Sequence, residues 1–136
     1  MTAITTPRFK ESTDSLLRFA MRTDAICSGL MGIAGIPLAG WLAKTSGTPI
    51  AFEYAVSASF IVFAVGVLWF AARPSVRRAG LTLAIGNGVY TVASVVFVFA
   101  NVFPLTTTGV VLTLAVAAYT LVMAELQYQG WRRAKA

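Results

Sequence analysis

The sequence predicts an all-α membrane protein: a four-transmembrane-helix antiparallel bundle with its N- and C-termini in the cytoplasm. Three observations carry that expectation. Of 136 residues, 57% are hydrophobic and only 12% charged, about half the charged share of a soluble domain, and the mean hydropathy is +0.76. Four apolar segments, about 25–43, 54–72, 79–100 and 105–124, each approach the ~20 residues that cross the hydrocarbon core. Ten of the eleven lysines and arginines fall in regions that alternate topology puts on one side.

The breaks between spans are short. "KTSGTP" (44–49) is a polar turn, "RPSVRR" (73–78) a cationic one and "NVFP" (101–104) a tight one. Connections this short make consecutive helices antiparallel neighbours. The basic residues then set the orientation. Arg8, Lys10, Arg18 and Arg22 precede the first span, Arg73, Arg77 and Arg78 fill the second turn, and Arg132, Arg133 and Lys135 close the chain. The other side holds only Lys44. By the positive-inside rule the basic side is cytoplasmic, in a cell (inner) membrane. The formal charge of +6 is thus a topology signal, consistent with contact to anionic headgroups. Nucleic-acid binding lacks the aromatic–basic platform it would need.

We divide the chain into an N-terminal arm, 1–17, disordered or forming an interfacial helix, and one transmembrane domain, 18–136. The first span is read as retained rather than as a cleaved leader, since its apolar run has full span length. The single cysteine, Cys27, sits in an apolar run and reads as a packing residue. There are no histidines, which removes the commonest metal and haem ligand. With no phosphate loop or zinc spacing either, no cofactor and no metal site are expected; "GNG" (86–88) lies inside an apolar segment.

Among lipid tails, helices associate through close backbone approach and interhelical hydrogen bonds. Small residues four apart mark the faces that permit it: Ala25 and Gly29 with Ser28 and Gly32 alongside in the first span, Gly80, Ala84 and Gly88 in the third, Gly109, Thr113 and Ala117 in the fourth. Pro37 should kink the first span. Trp41, Trp69, Tyr128 and Trp131 lie where aromatic anchors meet the headgroups. Tyr90 and Tyr119 lie deeper, where each hydroxyl needs a partner.

Ionisable and amide side chains at membrane depth are the default functional candidates, because each is costly there. Asp24, Asn87 and Glu125 share the cytoplasmic half and form a candidate polar pocket. Arg18, Arg22 and Arg132 are its possible charge partners. Two readings stand side by side: a pocket that binds a cation or cationic substrate, and a charge network that only fixes helix ends. Glu53, early in the second span with Pro49 before it, suits the positive end of a helix dipole.

"RTDAICSG" entering the first span, "ARP" closing the second, an asparagine in the third and "AELQYQGWRR" closing the fourth together resemble an uncharacterised family of small four-span bacterial membrane proteins of actinobacterial type. The resemblance runs from about Arg18 to Arg133. It implies fold and topology and adds no reaction. The small multidrug-resistance transporters share the span count and length, yet their hallmark glutamate within the first span is replaced here by Asp24 near its edge. The one-sided charge also disagrees with their dual insertion.

With no nucleophile beside the carboxylates, an enzyme is not expected. The first expectation is a non-enzymatic accessory, scaffold or lipid-contacting subunit, partnered by membrane lipids and by other membrane subunits or its own copies. The alternative is a small oligomeric transporter or channel working through Asp24, Asn87 and Glu125.

Overall fold

A computed structural model describes residues 14–134. Four helices follow in order: α1 (Ser15–Ser46), α2 (Ile50–Ala71), α3 (Arg77–Ala100) and α4 (Thr107–Arg133). All four are long and apolar enough to cross a membrane, and no strand occurs among the described residues. The architecture is an antiparallel four-helix bundle, and the chain has the build of a small multi-pass membrane protein. The part of the expected arm before residue 14 lies outside the described residues.

The helices overrun the predicted spans. α1 begins at Ser15, inside the expected arm, so the last three residues of that arm and the first span belong to one helix of 32 residues that runs through Pro37. α4 continues nine residues past the predicted end at 124, because "ELQYQGWRR" still places Gln127 and Gly130 on the buried face. Hydropathy registers where lipid stops, whereas a helix can continue into the headgroups.

Each helix end has a local cause. Gly47 closes α1 at φ 80°, with its N–H on the Ala43 carbonyl at 2.9 Å, a left-handed conformation that glycine adopts without a Cβ penalty. Asn101 ends α3 at φ 51°, asparagine being the residue that next best tolerates that region. Pro49 precedes α2 in extended backbone, and Thr106 caps α4 by accepting the Gly109 N–H at 3.0 Å.

At the basic end, Arg18 holds the orphaned carbonyls that finish α2. Its Nη1 donates to Ala71 O (2.9 Å) and Arg73 O (2.7 Å), and its Nη2 to Pro74 O (2.8 Å). Asp14 fixes the same guanidinium from below at 3.0 Å. A cation on helix C-terminal carbonyls is favoured by both hydrogen bonding and the dipole. Arg18→Ala is expected to cost about 2 kcal/mol, the scale of hydrogen bonds to a charged group. Arg18→Lys should recover only part of that, since a point charge cannot span three carbonyls. Detergent unfolding curves of the two variants check it.

α1 is the central helix. It packs along α2 and along α4, α3 packs along α4, and α2 makes no extended contact with α3 or α4. The α1–α2 contact is close because the α1 glycines lack side chains. A Cβ on Gly32 would stand 2.6 Å from the Ser57 carbonyl oxygen, and one on Gly29 3.2 Å from the Ala64 Cβ. Leu17 is wholly buried between Gly80 of α3 and Gly130 of α4. Ala84 is also buried. Gly88 corrects the expected packing set: nothing lies within 4 Å of where its Cβ would be. It sits one position past buried Asn87, about 100° around the helix, and so faces outward.

Candidate functional site

The inward stripe of α1 is Leu17, Met21, Asp24 and Ser28, all buried, with the three- and four-residue steps of one helix face. Asp24 is the one polar member that carries a carboxyl group, and its exposure is 0%. It lies nine residues into α1, about 14 Å from the helix start at ~1.5 Å per residue. Asn87 is ten residues into α3, about 15 Å by the same rise. Asp24 is therefore level with the polar centre of α3, deeper than a span starting at residue 25 suggests.

Four side-chain donors converge on the Asp24 carboxylate. Oδ1 accepts from Ser28 Oγ (3.2 Å) and from the Tyr119 hydroxyl (2.7 Å). Oδ2 accepts from Asn87 Nδ2 and Gln127 Nε2, both at 2.8 Å. Asn87 Nδ2 also donates to Gln127 Oε1 at 2.9 Å, which closes a ring of three. Deeper along α3 and α4, the Thr91 and Thr120 hydroxyls meet at 2.7 Å and bond to the Asn87 and Ala117 carbonyls. Among the described residues every buried side-chain nitrogen and oxygen has a partner.

An ionised carboxylate is acceptor-only and takes about four hydrogen bonds, and four donors are present. What surrounds Asp24 is a set of hydroxyl and amide N–H donors from three helices, matched to the acceptor capacity of its two oxygens. No cation neutralises it: the ion pair present among the described residues joins Arg18 to Asp14.

The expected pocket is thus assembled differently. Asp24 and Asn87 meet, but Glu125 does not join them. It is exposed and accepts from Gln129 Nε2 at 2.8 Å. Gln127 stands in its place, two residues on, and residues two apart lie on opposite faces of a helix. The expected charge partners also lie elsewhere. Arg18 caps α2, Arg22 is exposed, and Arg132 is exposed with its guanidinium 5.9 Å from the Tyr128 ring centre. Gln127 carries no charge, so polarity at membrane depth alone does not single it out. Its sign was in the spacing, since the small-residue stripe Gly109, Thr113, Ala117 continues by threes and fours through Thr120 and Met123 to Gln127.

Gln127→Ala is expected to cost about 2 kcal/mol, because it removes two buried hydrogen bonds at once, the one Gln127 Nε2 donates to Asp24 Oδ2 and the one Gln127 Oε1 accepts from Asn87 Nδ2. Glu125→Ala should change stability by less than about 0.5 kcal/mol, as exposed substitutions do. Thermal unfolding of both variants in one detergent makes the comparison.

A cavity of about 790 Å³ lies in the half of the bundle away from the basic end, bounded by all four helices. Its walls are mainly apolar, Leu38, Phe52, Val56 and Val116 among them, with Glu53 at one end. Tyr119 belongs to both places: its ring lines the cavity and its hydroxyl bonds Asp24. A comparison with known protein families, curated proteins and solved structures found no match to the chain. The functional reading therefore rests on its own residues.

Proposed function

We propose that this chain is a non-enzymatic accessory subunit of the cytoplasmic membrane, with its basic end toward the cytoplasm and anionic headgroups. The observation behind this reading is the saturation of Asp24. Both carboxylate oxygens are spent on donors from α1, α3 and α4, which leaves Asp24 no spare acceptor capacity for acid–base work. The cluster serves as a latch that sets the relative positions of three helices. A transport pocket of Asp24, Asn87 and Glu125 loses support because Glu125 faces outward.

Outside the bundle, apolar side chains such as Val62, Val65, Val92 and Phe99 are exposed along α2 and α3, faces suited to lipid or to other membrane helices. The test is purification of the tagged full chain from its native membrane in mild detergent. The reading expects stoichiometric co-purification of another membrane protein, or a self-associated species by size-exclusion chromatography with light scattering. Recovery of free monomer alone would overturn it.

A further inference from the structure

We infer that the cavity is a binding site for a single-chain amphiphile with a cationic head, which enters from the lipid between α2 and α3 and seats its head at Glu53. This goes beyond the accessory reading and does not depend on it. At about 790 Å³ the cavity falls within the roughly 300–1,000 Å³ of small-molecule sites.

Its access route is built by aromatic side chains. α2 and α3 do not pack along their length, yet two ring pairs cross the seam: Phe52 stacks on Phe97 with centroids 5.4 Å apart, and Phe60 meets Tyr90 at 6.1 Å. Phe52 and Phe60 are eight residues apart, about 12 Å along the helix. Ala93 on α3, midway between those bars, and Ser59 on α2, beside the Phe60 bar, are both exposed and both line the cavity. Side chains that short leave a window. A helix, about 10–12 Å across with its side chains, cannot pass the bars; an extended hydrocarbon chain can.

The head is chosen by charge. Glu53 is the one ionisable carboxyl group lining the cavity. It sits in the first turn of α2, near the end of the bundle that meets the headgroups. Its Oε1 accepts from the Thr48 hydroxyl, which leaves most of the carboxylate's acceptor capacity for a second donor. Lys44 is exposed and does not line the cavity. A carboxylate flanked by low-dielectric walls attracts a cation more strongly than one in open water. From that end the cavity extends to Tyr119, ten residues along α4 from Gly109, about 15 Å of depth for an apolar tail.

The experiment uses the full chain in phosphatidylcholine nanodiscs and a photoreactive hexadecylamine, with labelled positions mapped by mass spectrometry. Expected are saturable labelling of cavity-lining peptides and competition by hexadecylamine at least tenfold better than by hexadecanol. Glu53→Gln should abolish that tenfold preference. Ala93→Trp and Ser59→Trp, on opposite sides of the window, should each block labelling while circular dichroism shows retained helix. Labelling spread evenly over lipid-facing positions such as Val62 and Phe99, or persisting in both tryptophan variants, would overturn the site. Cavity labelling with equal competition by amine and alcohol would overturn the cationic head.

Discussion

Asp24→Ala is expected to lower the stability of the bundle by about 3–5 kcal/mol, the scale of leaving a buried polar partnership half empty. Four side chains lose their acceptor at once, and three of them sit on other helices or reach from them. Interhelical hydrogen bonds in membranes average only about 0.6 kcal/mol each, which gives about 1.8 kcal/mol for the three from α3 and α4. Each donor stranded in a dry interior adds about 1–3 kcal/mol, although losses within one network do not simply add. Asp24→Asn should fall about halfway. Its amide keeps an acceptor oxygen for Tyr119 and Ser28 but turns an NH₂ group toward Asn87 and Gln127, which are donors themselves. Reversible unfolding in mixed micelles, followed by helical circular dichroism, provides the measurement. An Asp24→Ala protein that unfolds at the same detergent fraction as the parent would remove the latch from this account. In a double-mutant cycle, Asp24→Ala and Gln127→Ala should be strongly sub-additive, because the second change removes a donor already stranded by the first.

Gly32→Leu is expected to be comparably damaging, for a different reason. Its Cβ alone would stand 2.6 Å from the backbone oxygen of Ser57 and 2.8 Å from the Ile61 side chain. A backbone oxygen cannot rotate away, so α1 and α2 must separate along their length. Overpacking of this kind costs about 1–3 kcal/mol in a core that can adjust, and the fixed oxygen puts Gly32→Leu at about 3 kcal/mol or above. Gly88→Leu is the matched control. It adds the same side chain at a glycine with open space around it and should shift stability by less than about 0.5 kcal/mol. Equal effects of the two substitutions would show that the α1–α2 contact is not the close one described. The comparison also tests whether Gly88 meets another chain, since a large loss on Gly88→Leu confined to an oligomeric fraction would reveal such a contact.

Much of the fold was legible because lipid imposes a simple rule: apolar runs of membrane length, separated by short polar turns, leave one arrangement of neighbours. Helix ends were less so. Ser15 and Arg133 extend their helices through residues whose polarity conceals helical continuity. At the site, Asp24 and Asn87 stood out because a carboxylate and an amide at that depth are costly. Glu125 shares their depth and is ionisable, whereas burial depends on angle around the helix, and Gln127 has the angle. Tyr119 needed a hydroxyl partner, and Asp24 is that partner. The cavity could not be read at all. It exists because α2 and α3 are held apart by ring pairs, a matter of side-chain reach that linear order does not encode.

The packing pattern also says how the chain can be divided. α1 with α2, and α3 with α4, are two hairpins, each carrying its own arginine clamp at the basic end: Arg18 on the end of α2, and Arg77, whose Nε donates to Ala134 O at 2.7 Å, on the end of α4. The carboxylate belongs to the first hairpin, while Asn87, Tyr119 and Gln127 belong to the second. Apart, the first hairpin would expose a carboxyl group to lipid with Ser28 as its side-chain donor, and the second would expose unmatched amides. Each half is thus incomplete in a way that the other repairs. Fragments 1–74 and 75–136, expressed together, should find one another in the membrane and co-purify, and Asp24→Ala in the first fragment should abolish the pairing.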